Sequence, residues 1–125
     1  VFLCGLAVWT SLAMPFFLAS TDALVEELTP WQENEHRWQR LRVRNLPTAL
    51  ADPSDLIFYF DDQAHQRRMD HDLLGARVAD YSWAHQTFDG IIVPTLRRSQ
   101  KIEADGSVMD HPALLNIEIF DATFE

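Results

Sequence analysis

From Leu24 onward, apolar and polar residues alternate with a period of two, and this constrains the chain more than any motif it contains. The clearest stretch is Trp38–Arg44, which puts Leu41 and Val43 on one side and Trp38, Arg40, Arg42 and Arg44 on the other. Successive side chains of an extended strand point to opposite faces, whereas a helical face repeats every 3.6 residues. The pattern therefore calls for strands, and the residues that interrupt it are turn formers at spacings typical of an antiparallel sheet. Six or seven strands can be drawn. Leu24–Leu28 leads into a loop at Thr29–Glu35, where Pro30 ends pairing and Trp31 covers an edge. After Trp38–Arg44, a loop is expected over Pro47–Asp55, which holds two prolines and two aspartates. Leu56–Phe60 is aromatic on both faces, as in a strand buried on both sides. Asp61-Asp62-Gln63-Ala64 reads as a hairpin turn into Arg67–Leu73, where Arg68, Asp70 and Asp72 alternate against Met69, His71 and Leu73. Gly75 breaks that strand. Val78–Ala84 follows, with Tyr81 and Trp83 on one side. Asp89-Gly90 turns into Ile91–Leu96, whose Pro94 requires an edge or a bulge. The last hairpin crosses Asp105-Gly106 and Asp110–Pro112 into Leu114–Phe120, with Leu115, Ile117 and Ile119 facing inward.

The first twenty-one residues, Val1–Thr21, carry no charge. A membrane span needs about 20 apolar residues to cross roughly 30 Å of hydrocarbon. That length is just met, but Pro15 tends to break the helix at Met14, and no cation appears before Arg37 to set an orientation. A signal peptide would have a basic start, which is absent, although Ser11-Leu12-Ala13 is a passable cleavage site. The favoured expectation is a buried apolar helix within residues 1–20, with Phe2–Ala13 as its regular part and Pro15–Ala19 extended.

A chain of 125 residues fits a single domain that can bury around two-thirds of its unfolded surface without disulfides. Its one cysteine, Cys4, has no internal partner and reads as a packing residue. The net charge of −9 falls in blocks: five acids and no base over residues 1–36, ten bases against eight acids over 37–101, and six acids over 102–125. An acidic surface repels phosphate backbones, which argues against nucleic acid. Nine of the ten cations are Arg, suited to planar, bidentate pairing with carboxylates or with an anionic ligand, although a codon bias would give the same count. The compartment is unspecified, with the cytoplasm favoured.

The expected fold is mainly β, an α+β arrangement in which the helix of residues 1–20 packs on a curved antiparallel meander or half-barrel over residues 24–125. Cups of this kind hold apolar ligands in their mouths.

Several stretches resemble an uncharacterised family of bacterial proteins: Ala7-Val8-Trp9-Thr10-Ser11-Leu12 with Met14-Pro15-Phe16, Pro30-Trp31-Gln32-Glu33, and Trp38-Gln39-Arg40-Leu41-Arg42-Val43. The resemblance continues through Phe58-Tyr59-Phe60-Asp61-Asp62, Arg67-Arg68 and the most specific motif, Phe88-Asp89-Gly90-Ile91-Ile92-Val93-Pro94-Thr95-Leu96-Arg97-Arg98. It implies that this chain is the C-terminal part of a larger unit, with the segment over residues 1–19 internal and helical. It implies no activity. The chain departs from the pattern after the paired arginines, where Met69, Asp70 and His71 replace His, Asp and Tyr, and at Ala79-Asp80-Tyr81, where Asp80 replaces His.

No histidine spacing supports a metal site. His65 and His71, six apart on an extended chain, would lie about 20 Å from each other at about 3.3 Å per residue. No phosphate loop, nucleophile motif or cofactor fingerprint is present, so no cofactor is expected. For acid-base chemistry the one group available is Asp70, His71, Asp80 and Tyr81, drawn together across adjacent strands. The competing and preferred reading pairs these carboxylates with Arg40, Arg42, Arg68 or Arg77 as structure. For ligand binding, Trp31, Trp38, Phe58, Phe60, Tyr81 and Trp83 offer apolar surface, with Arg40 and Arg42 for an anionic head group; the alternative makes the aromatics core. The leading expectation is non-catalytic binding of a small apolar or amphipathic molecule. The rivals are a cofactor-independent enzyme around Asp70, His71 and Tyr81, and an interaction domain that pairs an open sheet edge with a second copy or a missing N-terminal half.

Overall fold

A computed structural model of the chain describes residues 24–44, 56–73, 75–109, 113–121 and 123. They build one antiparallel sheet from β1 (Leu24–Glu33), β2 (His36–Arg44), β3 (Leu56–Phe60), β4 (Gln66–Leu73), β5 (Ala76–Phe88), β6 (Ile91–Lys101) and β7 (Leu115–Glu118). Each strand pairs with the next in sequence, giving the order β1-β2-β3-β4-β5-β6-β7. The sheet is open: among the described residues β1 and β7 are its two edges. The alternating pattern thus folds as the expected meander. The helix expected over residues 1–20 and the loop over 47–55 lie outside the described residues, and among the described residues there is no helix.

Local chemistry explains where the strands differ from expectation. β1 does not stop at Leu28 but runs through Pro30, pairing Trp31 with Trp38 and Glu33 with His36. Pro30 is tolerated because β1 is an edge strand and the pairing shifts register between Leu28 and Trp31. The neighbouring carbonyl is used by Arg40, whose Nε donates to Thr29 O at 2.8 Å. The turn therefore moves to Asn34-Glu35, with Asn34 in the left-handed region at φ 53°. β5 and β6 also extend beyond the expected limits and meet at Asp89-Gly90, both with positive φ, the combination that suits the twist of a two-residue hairpin. Pro94 pairs with His85 in a part of β6 that reaches past its pairing with β7, which covers Leu96–Ser99, so it sits locally at an edge.

The registers set two distinct faces. On one, a row runs from Leu41 through Phe58, Met69, Asp80 and Ser99 to Leu115. Its β2–β4 part forms the core, where Val43, Leu56, Phe58 and Met69 are essentially inaccessible and Phe60 packs against them. Each such side chain stabilises the fold by about 1.5–3 kcal/mol through burial. Toward β5 and β6 the same face becomes polar, with Asp80, Ser82, Arg97 and Ser99 all buried. On the other face the matching row reads Arg40, Tyr59, Arg68, Tyr81, Arg98 and Asn116, an alternation of cations and phenols across five strands that ends in an amide.

Candidate functional site

The arginine face holds most of the side chains singled out in the sequence, and they satisfy one another. Arg68, only 3% exposed, donates from Nε to Asp70 Oδ1 at 2.6 Å and from Nη2 to Asp70 Oδ2 at 3.0 Å. Its Nη1 reaches Glu33 Oε1 at 2.6 Å and the Tyr81 hydroxyl at 3.3 Å, while Tyr59 OH donates to Asp70 Oδ2 at 2.7 Å. Burial and the adjacent Asp70 carboxylate push the Tyr59 phenol up to about 12. Burial likewise raises Tyr81, although the Arg68 cation works against it. The Arg68 guanidinium lies over Tyr59 and Tyr81 at 4.7 and 5.5 Å from their centroids, and Arg40 lies over Trp31 at 5.1 Å. Arg42 faces Glu26 at 3.7 Å and Arg77 faces Asp72 at 3.4 Å. This is a structural network of cation–π and charge-assisted hydrogen bonds, in which the buried Arg42 Nε makes no hydrogen bond among the described residues.

The candidate acid-base group does not meet. Asp70 and Tyr81 lie on the arginine face, whereas His71 and Asp80 lie on the other, because neighbours on a strand point opposite ways. His71 Nε2 is 2.7 Å from Asp80 Oδ2, and the Ser99 hydroxyl donates to Asp80 Oδ1. The carboxylate stands in the middle of this buried chain. The imidazole therefore has no contact through which to activate the serine, and none of the three cavities described below is lined by His71, Asp80 or Ser99.

The candidate ligand-binding residues divide similarly. Trp31, Trp38, Arg40, Arg42, Tyr81 and Trp83 are on the arginine face, and Phe58 and Phe60 on the apolar one. Trp38, Tyr81 and Trp83 do line a cavity of about 460 Å³ beside Asp61 and Arg67, but those two charges pair at 2.7 Å. Asp61 also accepts from the backbone N–H of Gln63 and His65, pinning the hairpin turn. Burial would raise its carboxyl, but these bonds and Arg67 outweigh burial and hold it below the usual range. A shallower cavity of about 340 Å³ lies between Glu33, Tyr81, Trp83 and Arg98.

A third cavity, of about 400 Å³, lies between the β3–β4 turn and the β5–β6 hairpin. Its walls include Phe60, Ile92 and Pro94, and its polar lining comprises Gln63, His65, Gln66, His85 and Arg97. Gln66, 7% exposed, has neither its amide nitrogen nor its oxygen bonded. Arg97, 4% exposed, has an unbonded Nε and no ion pair among the described residues. Burial pulls its guanidinium down to about 10, opposed only by the field of Asp80, so it remains a cation at neutral pH. A buried cation without a partner costs several kcal/mol, roughly 3–5 where one member of a buried pair is missing. His85 stacks on His65 with centroids 4.6 Å apart, and its Nε2 is 3.1 Å from Gln66 O. Burial, then the nearby His65 and Arg67, hold this imidazole below its ordinary value. The neutral ring thus donates from Nε2 and leaves Nδ1 as an unbonded acceptor.

Of the side chains chosen from sequence, only Phe60 lines this cavity; Arg97, Gln66, His85 and Ile92 were not singled out. Among the described residues no group of three or more His, Cys, Asp or Glu is placed to hold a metal ion, and no helix is long and apolar enough to cross a membrane. Comparison of the chain with protein-family models, with curated proteins and with solved structures gives no match.

Proposed function

We propose that this chain binds, without transforming it, a small apolar or amphipathic molecule, cupped by its open sheet in the manner of a half-barrel. The observation that carries this reading is the 400 Å³ cavity, where the apolar walls of Phe60, Ile92 and Pro94 converge with buried polar atoms that have no hydrogen-bond partner among the described residues. Its size and mixed lining are those of a small-molecule site. A buried polar group left unbonded costs about 1–3 kcal/mol, and a ligand that supplies the bond recovers that cost on binding. An enzymatic reading lacks comparable support, since the chain from His71 through Asp80 to Ser99 lies away from the described cavities. Assembly through the β1 edge is suggested by exposed Leu24 and Val25, but Glu26 and Glu27 beside them are exposed charges of the kind that guard an edge.

Native mass spectrometry on the chain, purified without detergent and then mixed with octanol, tests the reading. A one-to-one complex, either with a molecule carried from the cell or with octanol, is expected. A chain that emerges bare from both samples would refute it.

A further inference from the structure

We infer that the site prefers amphiphiles bearing a single carboxylate, held by Arg97 with the help of Gln66. The inference rests on the binding reading above and names the chemical class of its ligand. Arg97 is on β6, in register with Ser82 of β5 and Ile117 of β7, so it belongs to the face that carries the core. A cation placed there is removed from water over nearly all of its surface. Its counterpart Arg68 shows how this chain treats a buried guanidinium: two carboxylates and two phenols surround it. Arg97 has none of these, and Asp80, the one carboxylate whose field reaches it, is occupied by His71 and Ser99. No described residue supplies the countercharge; an external anion would, and the planar fork of a guanidinium matches a carboxylate in a bidentate pair. The unbonded amide of Gln66 lines the same cavity and supplies a further donor for the head group. Charge argues for a monoanion. The chain carries −9, so its overall field opposes a doubly charged phosphate about twice as strongly as a singly charged carboxylate. Phe60, Ile92 and Pro94 then take the apolar tail.

The experiment is isothermal titration of the full chain with octanoate, octanol and octyltrimethylammonium, three probes sharing a tail and differing in head group. Octanoate is expected to bind at least about tenfold tighter than octanol, as a charge-assisted pair to a desolvated cation requires, and the ammonium weakest of the three. In Arg97→Met the advantage of octanoate over octanol should vanish, because Met keeps most of the side chain's length and removes the charge. Equal binding of octanoate and octanol by the wild-type chain, which needs no variant, would overturn the head-group assignment and leave the cavity reading standing. Failure of all three to bind would overturn both.

Discussion

Two arginines buried to the same degree show how the residue scale separates structure from site. Arg68 touches Asp70, Glu33, Tyr59 and Tyr81, and Arg97 touches no countercharge among the described residues. Arg68→Ala would strand the Asp70 carboxylate in a nearly inaccessible position. We expect it to cost about 3–5 kcal/mol in urea-unfolding experiments, with much of the loss recovered in the double variant Arg68→Met with Asp70→Leu. A double variant no more stable than the single one would show that the loss arises elsewhere. Part of this contrast was legible in the sequence. Arg68 and Asp70 share a face because they are two apart on a strand; of the expected pairings of Asp70 and Asp80 with Arg40, Arg42, Arg68 or Arg77, the structure has Asp70 with Arg68, along one strand rather than across two, while Asp80 is held by His71 and Ser99. Arg97 was legible too, had the period been followed past Leu96: Val93, Thr95, Arg97 and Ser99 are in phase, and a cation in phase with an inward face is the signal. The strand drawn over Ile91–Leu96 ended one residue short of it.

At the scale of elements, the meander follows from alternation and turn chemistry, and its irregularities are where sequence reading loses resolution. Asp89-Gly90 and the Asp61 turn are announced by their residue types. The persistence of β1 through Pro30 is not, because it depends on which strand is an edge, a property of the whole sheet. The split of Asp70, Tyr81 from His71, Asp80 follows from the same period of two and needed only the observation that neighbours on a strand cannot share a face. Ala84 is another irregularity. It lies in β5 between Trp83 and His85, with φ 55°, and its carbonyl accepts from Thr95 Oγ1 at 2.6 Å. A left-handed conformation costs an alanine roughly 1–2 kcal/mol that a glycine is spared. Ala84→Gly should therefore raise the unfolding free energy measured in urea by about 1 kcal/mol. Ala79→Gly in the same strand, at a fully buried site with ordinary backbone, should lower that free energy by about the same amount. Equal losses at both positions would contradict the strain assigned to Ala84.

For the whole molecule, one sheet carries two faces with different chemistry: an arginine–tyrosine lattice closed on itself, and a core face that ends in a partly polar cavity. Composition pointed to aromatic and arginine residues as ligand contacts, and the lattice absorbs most of them, since Trp31, Trp38, Arg40 and Tyr81 contact one another, Tyr59 and Arg68 rather than framing the cavity with unbonded polar groups. Which face binds is consequently the claim on which the account stands. It is read most directly by following backbone amide and arginine Nε–H resonances during a titration with octanoate. The account predicts shifts at Arg97 Nε and at Phe60, Gln66, His85 and Ile92, with Arg40, Arg68 and the Trp31 indole unmoved. Shifts confined to Trp31, Trp38, Arg40 and Tyr81 would contradict it and return the site to the opposite face.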